Sequence, residues 1–160
     1  MARFLHIADA WYSDHIRRNG IRPTSLRNGI RAVFCVPVVP DHAMTLQWAR
    51  ELRAGGTRSF VAVIFDAPDA GQMQVGRYGT EHAQMPATEA HHDFLAATHP
   101  AGQEVLAPRG IAAVELRKIA PHPGWWAADC CPETKGRAFS PLRGTMNVAR
   151  RRAAIDRRMG

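Results

Sequence analysis

A carboxylate, Glu104, opens an apolar run within GQEVLAPRGIAAVELRKI, residues 102 to 119. At such a place an acid is either solvated at a strand end or held in a cleft for chemistry. Two other groups precede it in order: His6 at the end of a first apolar stretch, and Thr45-x-x-Trp48 in a segment with helical spacing. Taken singly, each has a plain structural reading, as a strand histidine, a helix-surface hydroxyl and a core aromatic. His82, His91, His92, His99 and His122 gather in the second half and could make a zinc site with Cys130 or Cys131, but their spacing matches no standard ligand pattern. His91 and His92 are adjacent on a segment read as helical, where neighbouring side chains point about 100° apart and cannot easily share one ion. We therefore read these histidines as exposed and expect no metal. The chain has no G-x-G-x-x-G, Walker loop, H-E-x-x-H or C-x-x-C motif.

The elements that must hold these groups follow from periodicity and punctuation. Phe4-Leu5-His6-Ile7 predicts a strand, and ADAWYSDHIRRNG predicts a helix that ends at a glycine cap, Gly20. Arg17 to Arg31 holds five arginines and no acid, broken by Pro23, Asn28 and Gly29, which predicts a long exposed connection. AVFCVPVV reads as a buried strand with Cys35 as a packed thiol. DHAMTLQWARELRAGG reads as an amphipathic helix stopped at Gly55-Gly56, and SFVAVIFDAP as a central strand. Residues 70 to 82 suggest a short strand between glycine turns, and MPATEAHHDFLAA a helix with Pro86 near its start. EVLA and GIAAVELRKIA suggest two more strands, with Glu115 facing solvent. Beyond Pro121 the pattern weakens into a turn-rich stretch and then NVARRRAAIDRRM, a basic helix or tail.

At 160 residues the chain suits one domain. Twenty-one Lys and Arg against fourteen Asp and Glu leave a net charge of +7, nearly all of the excess being arginine. Such a balance suits polyanions, either nucleic acid or a phosphate-bearing cofactor, although an arginine-preferring proteome would also produce it. There is no run of about 18 apolar residues to cross a membrane, and MARFLHIAD lacks the long apolar core of a signal peptide, so a cytoplasmic location is expected. Three cysteines do not make a disulfide framework.

The order His6, Thr45-x-x-Trp48, Glu104 is similar to that of the ADP-ribosyltransferase superfamily, which carries a His or Arg on the first strand, a hydroxyl or aromatic group on a second segment and a late Glu. IRAVFCVPVVPDHAMTLQWA resembles the segment of the poly(ADP-ribose) polymerase and diphtheria-toxin-like branch where a strand leads into a helix bearing Ser-x-x-Tyr. EVLAPRGI resembles the strand of type E-V-L-x-P, and RFLHIADAWYSDHIRRNGI the opening of DNA-targeting ADP-ribosyltransferase toxins. The resemblance spans most of residues 3 to 119. It implies an α+β fold, a single ADP-ribosyltransferase-like domain of two small packed sheets with flanking helices, over residues 1-121. Residues 122-160 would form an irregular basic C-terminal extension.

The resemblance also implies NAD as substrate and cofactor, with Glu104 and His6 as catalytic residues. Breaking the nicotinamide-ribose bond develops positive charge on the sugar, which a fixed carboxylate stabilises. In this reading Trp48 faces the nicotinamide ring, the Thr45 hydroxyl and the backbone of Ile7 bond its carboxamide, and His6 bonds the adenosine-side ribose. Arg17 and Arg22 would meet the pyrophosphate or the acceptor. The sequence departs from the family pattern at three places. Ala8 stands where many relatives have Thr or Ser, and Val33 or Phe34 replaces the tyrosine of the second strand, which makes Phe34 a further cofactor-site candidate. Gly102 stands where arginine-modifying members carry Gln or Glu. That last departure turns the expected acceptor from protein towards nucleic acid or a nucleotide. A toxin or defence effector, with a neutralising antitoxin as partner, fits such an activity. An RNA 2′-phosphotransferase of the same fold, and a non-catalytic basic nucleic-acid-binding module, are the alternatives.

Overall fold

The computed structural model describes residues 1–25, 29–38, 43–97 and 102–122, with the side chains of residues 43–46, 51 and 122 left outside the description. The elements are β1 (Ala2–Asp9), a 3-10 turn (Ala10–Tyr12), α1 (Ser13–Asn19), β2 (Thr24–Ser25), β3 (Arg31–Pro37), α2 (Ala43–Ala54) and β4 (Phe60–Ala67). β5 (Gln72–Arg77), β6 (His82–Pro86), α3 (Ala87–Ala96), β7 (Gln103–Ala107), a second 3-10 turn (Ala113–Glu115) and β8 (Leu116–His122) follow. The proposed extension, with Trp125, Trp126, Cys130, Cys131 and the basic terminal segment, lies outside the described residues apart from His122.

The architecture is mixed α and β, built on an antiparallel sheet in the order β6-β5-β7-β3-β1-β4-β8, with β2 paired to β3. Two small packed sheets were expected; instead one hydrogen-bonded path runs through both halves. The join is short. β1 and β3 are paired only at Phe4↔Pro37 and Leu5↔Val36, whereas β1 pairs with β4 along its whole length. Without the join, two buried strand edges would carry unsatisfied backbone groups, which is costly.

Strand alternation divides the core. Phe4, Val63, Phe65, Val33, Cys35, Met73, Val75 and Val105 are buried on one face, where α3 lays Ala87, Ala90 and Phe94 against them. Phe4 and Phe65 stack with ring centroids 6.0 Å apart. The other face is thinner: Leu5, Ile7 and Phe60 pack on Trp48 and Ala49 of α2.

Several boundaries differ from expectation. The first helix is shorter, since Ala10–Tyr12 forms a 3-10 turn and leaves Trp11 87% exposed rather than on an apolar helix face. Gly20 does close the helix, at φ +75, with its N–H donating to the Ile16 carbonyl. A side chain there would strike the Ile111 carbonyl at 2.0 Å, so a glycine is required. The last strand begins at Leu116 rather than Gly110, because Glu115 is not solvated as expected. Its carboxylate accepts two hydrogen bonds from Arg109, at 2.6 and 2.8 Å, and one from the Ala112 N–H. Among the described residues no helix is long and apolar enough to cross a membrane.

Candidate functional site

Glu104 is the second residue of β7 and is only 4% exposed. Its Oε1 accepts a hydrogen bond from His82 Nε2 at 2.9 Å. Its Oε2 is buried without a partner among the described residues. A buried carboxylate with one oxygen fixed and one unmatched is rare, because an unsatisfied charged atom costs more than an exposed one. Burial pushes the Glu104 carboxyl up from its ordinary range, and the His82 hydrogen bond and charge pull it part of the way back.

The pair depends on register. Gly76 on β5 stands opposite both Glu104 on β7 and His82 on β6. The His82 ring must therefore cross a whole strand to reach the acid. It does so over the glycine: a Cβ at Gly76 would lie 2.9 Å from His82 Cδ2, 3.0 Å from Cγ and 2.8 Å from the Glu81 carbonyl. His82 was expected to be an exposed histidine, and this is a correction, since its side chain is only 12% exposed. The signal available in the sequence was Gly76 itself, a lone glycine inside the alternating run QMQVGR, which marks close approach of another group.

The same face carries the aromatic groups. Tyr78 follows β5, and its N–H donates to the Gly102 carbonyl at 2.8 Å. Its ring lies 6.3 Å from that of Trp48, centroid to centroid. The neighbouring Gln47 accepts from the Gly102 N–H at 3.2 Å, so α2 is tied to the chain two residues before Glu104. Gln47 Nε2 and Gln74 Oε1 are, like Glu104 Oε2, buried without partners among the described residues. Gln74 alternates onto the face of Gly76 and Glu104, a diagonal neighbour of the acid across β5 and β7. Tyr78, Gln47 and Gln74 were not foreseen from the sequence.

The expected residues fall into three groups. Trp48, Phe34 and Ile7 share the α2-covered face with Glu104. Ile7 is a core residue on Ala49 and Phe60, and Phe34 is half-buried. Thr45 lies on α2, one turn before Trp48, with its side chain outside the description. His6 alternates to the opposite face, and its ring turns to the gap beyond the short β1–β3 ladder, where Nδ1 meets the Phe34 carbonyl at 2.7 Å. A carbonyl only accepts, so Nδ1 carries the proton. Burial pushes the imidazole down in pKa, favouring the neutral ring with Nε2 as an acceptor. β1 and β7 flank β3, which separates their backbones by two strand spacings, about 10 Å.

Arg17 and Arg22 form the third group and are not brought to Glu104. α1 packs on β8 and the 113–115 turn, and Ile21, beside Arg22, bridges to Ile111 beyond the far end of β7. Arg17 pairs instead with Asp14 at 3.1 Å. A cavity of about 430 Å³, lined by Val75, Met85, Asp93 and Gln103 among others, lies against α3. By strand alternation it is on the face opposite the Glu104 carboxylate. Among the described residues no cluster of three or more potential metal ligands occurs. No family model, curated protein or solved structure matches the chain.

Proposed function

We propose that the protein is an NAD-dependent ADP-ribosyltransferase acting on nucleic acid or a nucleotide. The observation that carries this reading is the Glu104 carboxylate, fixed through Oε1 by His82 and without a partner at Oε2 among the described residues, on the same face as the Trp48–Tyr78 aromatic pair. A preorganised acid suits a ribose that gains positive charge, since the attraction is present before the bond breaks. Trp48 and Tyr78 offer flat surface for the nicotinamide ring. His6, whose Nδ1–H is held by the Phe34 carbonyl, lies on the opposite face of the sheet from Glu104 and is not part of this proposed contact. Glu104 is buried, so turnover requires the side chains above it to part and admit the substrate.

The nucleic-acid acceptor rests on charge and on exposed aromatics. The chain carries +7, and Trp11 and Tyr12, 87% and 56% exposed, precede Arg17, Arg18 and Arg22. Exposed rings beside arginines suit stacked bases and phosphates. The expected test incubates the protein with NAD and DNA, RNA or nucleotides and follows nicotinamide release and adduct mass. The wild type should release nicotinamide, and Glu104→Ala should lower the rate at least about 100-fold. No NAD cleavage with any acceptor, together with no NAD binding, would refute the reading, and steeply salt-dependent nucleic-acid binding alone would leave a non-catalytic module.

A further inference from the structure

We propose that His82 is the positioning residue for Glu104: lying over Gly76, its Nε2–H holds Oε1 and leaves Oε2 as the one oxygen offered to a bound hydroxyl. This rests on the transferase reading for its kinetic consequence, though not for the pair itself. The geometry supports it in three independent ways. The contact is 2.9 Å between groups that are 12% and 5% exposed, so water does not compete for it. The strand between them carries glycine at the crossing point, where any side chain would collide with the imidazole. The second carboxylate oxygen has no partner among the described residues, so the histidine does not saturate the acid but orients it.

The chemistry of the pair follows from donor and acceptor roles. When Glu104 is ionised its carboxylate only accepts, and Nε2 is then the protonated nitrogen towards it. The pair places a donor beside a charge that burial disfavours, and it removes the rotational freedom of the carboxyl group. Groups that orient metal ligands commonly change affinity or activity by about 10–100-fold without touching substrate, and the same order is expected for a group that orients a carboxylate.

The test compares His82→Ala and His82→Gln with wild type, each checked for native circular dichroism. His82→Ala is expected to lower kcat for NAD cleavage about 10–100-fold with little change in KM, and His82→Gln, which keeps an N–H donor near the Nε2 position, should recover part of that loss. Unchanged kcat in His82→Ala, a loss confined to KM, or no recovery in His82→Gln would overturn the proposal. Nitrogen-15 NMR of the imidazole supplies a readout without turnover. Protonated Nε2 whose signal shifts in Glu104→Ala supports the pair; a ring protonated only at Nδ1, or insensitive to Glu104→Ala, overturns it. If the wild type neither cleaves NAD with any acceptor nor binds it, the transferase reading is refuted, and the NMR result alone then decides the pair.

Discussion

Gly76 is the smallest residue in the site and decides its geometry. It lies in a strand where a side chain would ordinarily stabilise packing, and its absence of a Cβ is what admits the His82 ring. Gly76→Ala places a methyl group 2.8 Å from the Glu81 carbonyl and 2.9 Å from the ring. Since a backbone oxygen cannot swing aside, β6 must shift. The expected cost is about 1–3 kcal/mol of stability, as for other overpacked sites, measured by urea unfolding. Gly76→Ala should also move the His82 imidazole signal in the way expected for Glu104→Ala. Unchanged stability together with an unchanged imidazole signal would mean that the ring does not depend on the gap. Glu104 itself was legible in the sequence because an acid opening an apolar run is conspicuous. His82 was not, because its role depends on a partner 22 residues away.

At the scale of elements, the sheet is asymmetric in how its faces are filled. The α3 face holds the fully buried Phe4, Phe65, Val63, Met73 and Val105, while α2 covers a thinner layer. The stable layer therefore lies behind the candidate site and supports it. Phe65 lies in the ladder opposite Phe4 and is completely buried. Phe65→Ala should cost about 3–5 kcal/mol, read from the shift in denaturation midpoint at constant slope. A loss below about 1 kcal/mol would show that β4 is not part of the principal core. The elements were mostly legible, since alternation, helical spacing and Gly20, Gly55 and Gly56 mark them locally. Two misreadings have a common cause: Trp11 and Glu115 were assigned from their neighbours' pattern, whereas 3-10 turns at both places redirected the chain.

Across the whole sheet, one acid ties the side chains of three neighbouring strands together. Asp66 on β4 accepts from Arg3 on β1 at 2.8 Å and from Arg117 on β8 at 2.7 Å. Its carboxyl is held below the ordinary range, chiefly by the Arg3 hydrogen bond, with burial opposing and Arg117 assisting. A carboxyl depressed in the folded state binds protons more tightly when unfolded, so its stabilisation is present above the ordinary carboxylate value, about 4, and is lost as pH falls through the depressed one. Glu115, held down by Arg109, has the same sign. Glu104 has the opposite sign, because burial raises it and protonation favours the folded form. The unfolding midpoint in urea should therefore fall as pH drops below about 4, and Asp66→Asn should flatten part of that fall. An identical acid profile in Asp66→Asn would show that the Arg3–Asp66–Arg117 contact does not stabilise the fold.

By itself the sequence determined where most strands and helices lie, though not β2, β6 or the start of β8, that glycines end two of the helices, and that Glu104 and Trp48 carry groups suited to chemistry. Those properties are local: they depend on side-chain period, on backbone freedom at single residues and on charge in an apolar context. Only the tertiary structure decided which groups meet. Strand register set His82 over Gly76 and onto Glu104, and the sheet order carried Arg17 and Arg22 away to the far ends of the strands. The same order turned His6 towards the Phe34 carbonyl. Cross-strand pairing joins residues far apart in the chain, and a slip of one position would move every side chain to the other face. For that reason the acid was visible in the sequence, and its histidine partner was not.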